Sequence, residues 1–237
     1  MARKIKIDNA ILKRRARKDR KRKIEIRKKR LYYLIVCEGE KTEPHYFQSL
    51  KENLPKGVLS LTNIDIDGTG KNTLSIIEEA QQLRAQYEKE YLRTIDKVWA
   101  VFDKDSFPDK NFNNAIFKGE NSKPKIYCAW TNEAFELWYL LHFNYYHTGI
   151  SRTQYQEKLE QEINKAANTT DYKYVKNAEN IYELLAEYGS LSKAIKNAKK
   201  LETLYENQSY AKYNPCTKVH HLVEELNALK EELSSSD

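Results

Sequence analysis

The sequence is short of glycine and proline, with seven and five among 237 residues. So few turn formers argue against a loop-rich or repeat-turn architecture. Cysteine is also scarce: Cys37, Cys128 and Cys216 lie far apart, are odd in number, and form no C-x-x-C. That spacing argues against a zinc ribbon. Cys37 and Cys128 sit inside apolar, strand-like runs and read as small buried residues, which suits a reducing cytoplasm. No apolar run approaches the roughly 20 residues of a membrane span. The N-terminus is basic, but no hydrophobic region follows it as in a signal peptide. A cytoplasmic protein with no membrane contact is therefore expected.

What is present is charge, unevenly placed. Residues 1–30 hold sixteen Lys/Arg and three Asp/Glu, a balance of +13. The other 207 residues hold 25 basic and 31 acidic side chains, a balance of −6. The chain is thus a mildly acidic body carrying a basic arm. Such an arm is either a solvated tail that orders on a partner or a clamp for phosphate backbones. Arg14, Arg15, Arg17 and Lys18 are the candidate backbone contacts within it.

Hydrophobic residues make up 40% of the chain, enough for a core. "LYYLIVC" (31–37) is a continuous β-prone run of the kind buried on both faces of a parallel sheet. "EPHYFQSLKENL" follows with helical spacing. "LSLTNIDID" (59–67) alternates like a strand. Residues 74–92 place Ile76, Ile77, Ala80, Leu83, Tyr87 and Tyr91 three and four apart, an amphipathic helix. "KVWAVFDKD" (97–105) is a second buried strand, "DKNFNNAIFKG" a short helix or loop, and "KIYCAW" (125–130) a further strand. "NEAFELWYLLHF" (132–143) is expected to be a helix with Asn132 as N-cap. This strand–helix alternation implies right-handed crossovers and a mainly parallel sheet with helices on both faces.

Beyond residue 150 only helices are expected, near 151–166, 176–188, 190–207 and 215–233, the last opened by Asn214 and Pro215. The domain reading is a basic arm (1–30), an α/β domain (31–150) and a helical extension (151–237).

In open α/β sheets, sites gather beyond the carboxyl ends of strands. Two acidic groups fall there: Glu38, Glu40 and Glu43 after the first strand, and Asp103 with Asp105 after the third. An alternating backbone lets a D-x-D point both carboxylates one way. Converging carboxylates raise one another's pKa unless a cation lies between them, and hard divalent metals take such oxygen ligands. The rival reading is solvated turn or cap acids.

"GTGKNT" (68–73) is not a P-loop, because Asn72 follows Lys71 and position 65 is Asp. It is either a phosphate-holding turn using Lys71 or a plain connection. Glu133 and Glu136 are three apart on the expected helix and share a face, away from His142, which reads as structural. His220 and His221, adjacent in the last helix, are expected to point apart and to lie on the surface.

Taken in order, "LIVCEGEKTEPHYF", "GTGKNT", "VFDKDSF", "NEAFELWYLLHF" and "NPCTKVHHLVEEL" resemble the RloB-like proteins, related to the AbiLii abortive-infection proteins. The resemblance covers nearly the whole chain. It implies a Toprim-like α/β fold, with a glutamate after the first strand and a D-x-D after a later one together chelating Mg²⁺ or Mn²⁺. It also implies a partner AAA-type ATPase and a role in bacteriophage defence. Carried onto this sequence, the ligands are Glu38, Asp103 and Asp105. Many Toprim nucleases read E-G-x-[ST]-[DE], whereas Thr42 and Glu43 here come one residue late. Either the loop holds an extra residue or Glu40 is the ligand. Glu38 is preferred because it is nearest the strand end and precedes Gly39. Glu136 and His220 match the family's signatures and join the catalytic candidates with open roles.

The expected function is a metal-dependent nuclease acting on nucleic acid, with RNA or tRNA favoured over DNA by analogy with other Toprim defence effectors. Lys41 or Lys71 would neutralise developing charge. The alternatives are a non-catalytic nucleic-acid-binding subunit of the ATPase and a nucleotidyl or phosphoryl transferase.

Overall fold

The alternation of side chains along each strand decides the architecture. In a computed structural model describing residues 13–14, 31–55, 62–69, 75–206 and 209–234, β1 (Leu31–Cys37) turns Tyr33, Ile35 and Cys37 to one face and Leu34 and Val36 to the other. β3 (Lys97–Asp103) does the same, with Trp99 and Val101 opposed to Val98, Ala100 and Phe102. Both faces are apolar, so both must be covered.

The covering helices are the crossovers. α1 (Thr42–Glu52) leads to β2 (Thr62–Gly68), α2 (Ile76–Tyr91) to β3, and α3 (Asp109–Asn121) to β4 (Ile126–Asn132). Tyr46, Phe47 and Leu50 of α1 pack on the Ile35 face, while Ile76, Ile77 and Ala80 of α2 and Phe112 and Ile116 of α3 pack on the Leu34 face. The sheet order is β2-β1-β3-β4-β5, parallel except for β5 (Cys216–Thr217), which runs antiparallel to β4. The expected α/β class with a mainly parallel sheet is what forms.

From Leu31 onward the described residues form one compact unit. The later helices are α4 (Glu136–Leu140), α5 (Arg152–Ala167), α6 (Ile181–Tyr188), α7 (Leu191–Glu202) and α8 (Val219–Ser234). Their apolar stripes, including Tyr155, Leu159, Leu185, Ala198, Leu222 and Leu226, join the core on the Ile35 face.

Several local expectations need correction. Asn132 is the last residue of β4 rather than an N-cap, and its Nδ2 donates to the Ala211 carbonyl at 2.8 Å. The expected helix over 132–143 contracts to Glu136–Leu140, so Glu133 is a loop residue. Residues 214–217 do not begin a helix. Thr217 pairs with Thr131 and Cys216 with Asn132, because β4 would otherwise present an unpaired edge there. A two-residue strand leaves no periodicity to read. Lys71, Arg15, Arg17 and Lys18 lie outside the described residues; Arg14 is described and exposed.

Candidate active site

β1 lies between β2 and β3, so the chain leaves β1 in one direction across the sheet and returns past it to the other side. That is a topological switch point, where a crevice opens beyond the carboxyl ends of the strands. Glu38 and Asp103 stand at these two ends. The Glu38 N–H donates to the Val101 carbonyl at 2.8 Å, and the Asp103 N–H donates to Glu38 Oε2 at 3.1 Å. The first acid is therefore held directly against the second strand's end. Glu40 is exposed at the rim.

Asp103 ends β3, and its Oδ2 accepts from the Phe135 N–H at 2.9 Å, ahead of α4. The chain then turns sharply. Asp105 has φ 38°, in the left-handed region that aspartate tolerates better than most residues, and its N–H is held by the Glu133 carbonyl at 2.9 Å. The two carboxylates of the D-x-D thus converge through a turn, not through strand alternation.

Between them lies a cation from the chain itself. Ser151 and Gln154 form a capping box that starts α5 and sets Arg152 in its first turn. The guanidinium meets Asp105 Oδ2 at 3.1 Å and Asp103 Oδ2 at 3.3 Å, with Glu136 Oε2 at 3.9 Å from Nε. Glu136 also accepts from Gln156 at 2.8 Å and from the Tyr174 hydroxyl at 3.3 Å. Arg152, Asp103, Asp105 and Glu136 line one cavity of about 430 Å³ with Glu38, Glu40, Glu43, Lys41, Lys176 and Asn177. A match to the RloB-like protein family spans residues 33–226. The chain belongs to the RloB-like family. Comparison with curated proteins and with solved structures gave no match.

The RloB-like chain therefore gathers six acids against three bases around one cavity. Two of those acids are tuned by burial. Asp103 is pushed well above the ordinary carboxylate range by burial and then by Glu43, with Arg152 pulling the other way. Glu43 is pushed up by burial, and Glu136 adds to the rise.

Glu43 is the residue that sequence reasoning under-read as the opening of a helix. It does lie in the first turn of α1, but it is 6% exposed and its Oε2 has no hydrogen-bond partner among the described residues. Gly39 makes the room, since a Cβ there would stand 2.2 Å from that oxygen. Arg152 was missed as well. Its only local signal is a cation at a helix N-terminus, where the dipole disfavours it.

Glu38, Asp103, Asp105, Glu136 and Lys41 are brought together around the cavity; His220 is not among its lining residues. His220 and His221 depart from expectation in another way. Both ring Nε2 atoms converge on Glu202 Oε2, at 3.2 and 3.1 Å, because the end of α7 lies over the first turn of α8. His220 is fully buried there. His142 is buried as a structural residue, with Nδ1 donating to the Trp138 carbonyl at 3.0 Å. Among the described residues, no helix is long and apolar enough to cross a membrane.

Proposed function

We propose that this RloB-like protein is a metal-dependent, Toprim-like nuclease that serves as the effector of a bacteriophage defence system under a partner AAA-type ATPase. The observation that carries this reading is the acid-lined cavity at the switch point, with a buried, unpartnered Glu43 oxygen inside it. A site with twice as many acids as bases repels a phosphodiester. It becomes useful to one only with an added cation.

The donor set fits Mg²⁺ or Mn²⁺: oxygen ligands only, from Glu38, Asp103 and Asp105, with Glu43 and Glu136 in reach of the same cavity. Bound there, the metal would polarise a phosphate oxygen and lower the pKa of an attacking water. The chain's own residues do the rest. Lys41 and Lys176 at the rim meet the charge of the incoming backbone. Phe135 N–H and Glu38 fix Asp103 in place.

A second reading, a regulatory subunit without turnover, draws on Arg152. Its guanidinium already partly neutralises Asp103, Asp105 and Glu136. Among the described residues, the group of metal-binding side chain types whose ligand atoms close to within 4.8 Å lies elsewhere.

Labelled tRNA, single-stranded DNA and plasmid, incubated with Mg²⁺ or Mn²⁺ with and without the ATPase, separate the two. Cleavage abolished by both Glu38→Gln and Asp103→Asn is the expected result. Binding without cleavage under every condition, or cleavage that survives both substitutions, would overturn the nuclease reading. Transfer of label to an acceptor would replace it with a transferase.

A further inference from the structure

The second cluster of ligating side chains lies at the junction of α7 and α8. Glu202 closes α7, and His220 and His221 are the second and third residues of α8. All three offer a ligand atom within 4.8 Å of the others. None of them lines the acidic cavity.

The hydrogen bonds around His220 define which nitrogen is free. Its Nδ1 stands 3.2 Å from the Thr217 carbonyl, which can only accept, so Nδ1 carries the proton. In the neutral ring Nε2 is then a bare lone pair. That atom is buried, faces Glu202 Oε2 at 3.2 Å, and makes no hydrogen bond of acceptable geometry. A lone pair aimed at a carboxylate oxygen is repulsive unless a cation lies between them.

The separations suit a shared metal. Tetrahedral ligands with bonds of ~2.0–2.1 Å stand about 3.3 Å apart. The Nε2 atoms of His220 and His221 are 3.2 and 3.1 Å from Glu202 Oε2. The surrounding shell is also in place. The Thr217 carbonyl orients His220, and the Lys218 ammonium holds the other oxygen of Glu202, leaving Oε2 to face the rings.

We propose that Glu202, His220 and His221 form a binding site for Zn²⁺ or a similar borderline divalent cation, which ties the end of α7 to the start of α8. Two imidazoles and one carboxylate suit zinc far better than the all-oxygen cavity, which suits Mg²⁺ or Mn²⁺. The site is a clamp on the C-terminal helices. It stands whether or not the acidic cavity cleaves a phosphodiester.

The test uses the full chain stripped with a chelator and titrated with Co²⁺, then with Zn²⁺ in competition. One equivalent of Co²⁺ should give the intense visible absorption of a tetrahedral ion, displaced by Zn²⁺, and Zn²⁺ should raise the melting temperature. His221 is exposed, so His221→Ala keeps the fold. It should weaken binding by at least about tenfold and remove the visible band. Glu202→Gln should do the same, while Asp103→Asn should leave the band unchanged. A pale octahedral spectrum in the wild type, or a tetrahedral band that survives both His221→Ala and Glu202→Gln, would overturn the site.

Discussion

Replacing Arg152 by Met tests whether the acids of the cavity are held in check by their own chain. Methionine keeps much of the apolar stem and removes the charge. The wild-type guanidinium meets Asp103, Asp105 and Glu136, of which Asp103 and Glu136 keep only 8% and 3% of their side-chain exposure. Removing one partner of a buried pair costs about 3–5 kcal/mol. Arg152 itself is 29% exposed, so water reaches it and the lower end, about 3 kcal/mol, is expected. In a unit of this size that is a fall of roughly 6–12 °C in melting temperature.

The loss depends on pH and on metal. Asp103 and Glu43 have raised folded-state pKa values, so the folded state binds their protons more tightly than the unfolded chain does. Their destabilising contribution is absent at low pH and grows as pH rises through the folded values. Arg152→Met should therefore cost more at pH 8 than at pH 5. A divalent cation at 100 times its dissociation constant returns about 2.7 kcal/mol. Since Arg152 competes for the same oxygens, the variant should gain more from Mn²⁺ than the wild type does. Thermal melts of both proteins in EDTA and in Mn²⁺, at the two pH values, measure all of this. Equal stability in EDTA, or equal gains from metal, would refute the view that guanidinium and metal share those carboxylates.

Two further outcomes follow from single residues. Gly39→Ala places a Cβ 2.2 Å from Glu43 Oε2, so the carboxylate must move. A cost of about 1–3 kcal/mol is expected, with weaker Mn²⁺ binding in a titration. Unchanged Mn²⁺ affinity would remove Glu43 from the donor set. His142 has its pKa lowered from 6.5 to about 4 by burial, so its contribution is fully present above pH 6.5 and is lost as pH falls towards 4. At ~1.36 kcal/mol per pH unit this amounts to about 3 kcal/mol. His142→Asn retains a donor for the Trp138 carbonyl, and its urea-unfolding free energy should fall less than that of the wild type between pH 7 and pH 4.5.

The residues that carried information in the sequence did so locally. The apolar runs of β1 and β3 announce strands buried on both faces, because each must be covered by helices on either side. Glu38 and Asp103 were legible for the same reason, as acids immediately after such runs. Tertiary structure decided what those acids meet. Glu43 opens a helix, Glu136 sits in a short turn of helix, and Arg152 begins α5. Nothing in their local spacing links them, since they converge only when α4 and α5 fold onto the face bearing Ile35. Likewise His220 and His221 look divergent along one helix, and only the end of α7 brings Glu202 between them. Local pattern determines which elements form and which face they bury, whereas a site assembled from the ends of separate elements depends on how those elements cross.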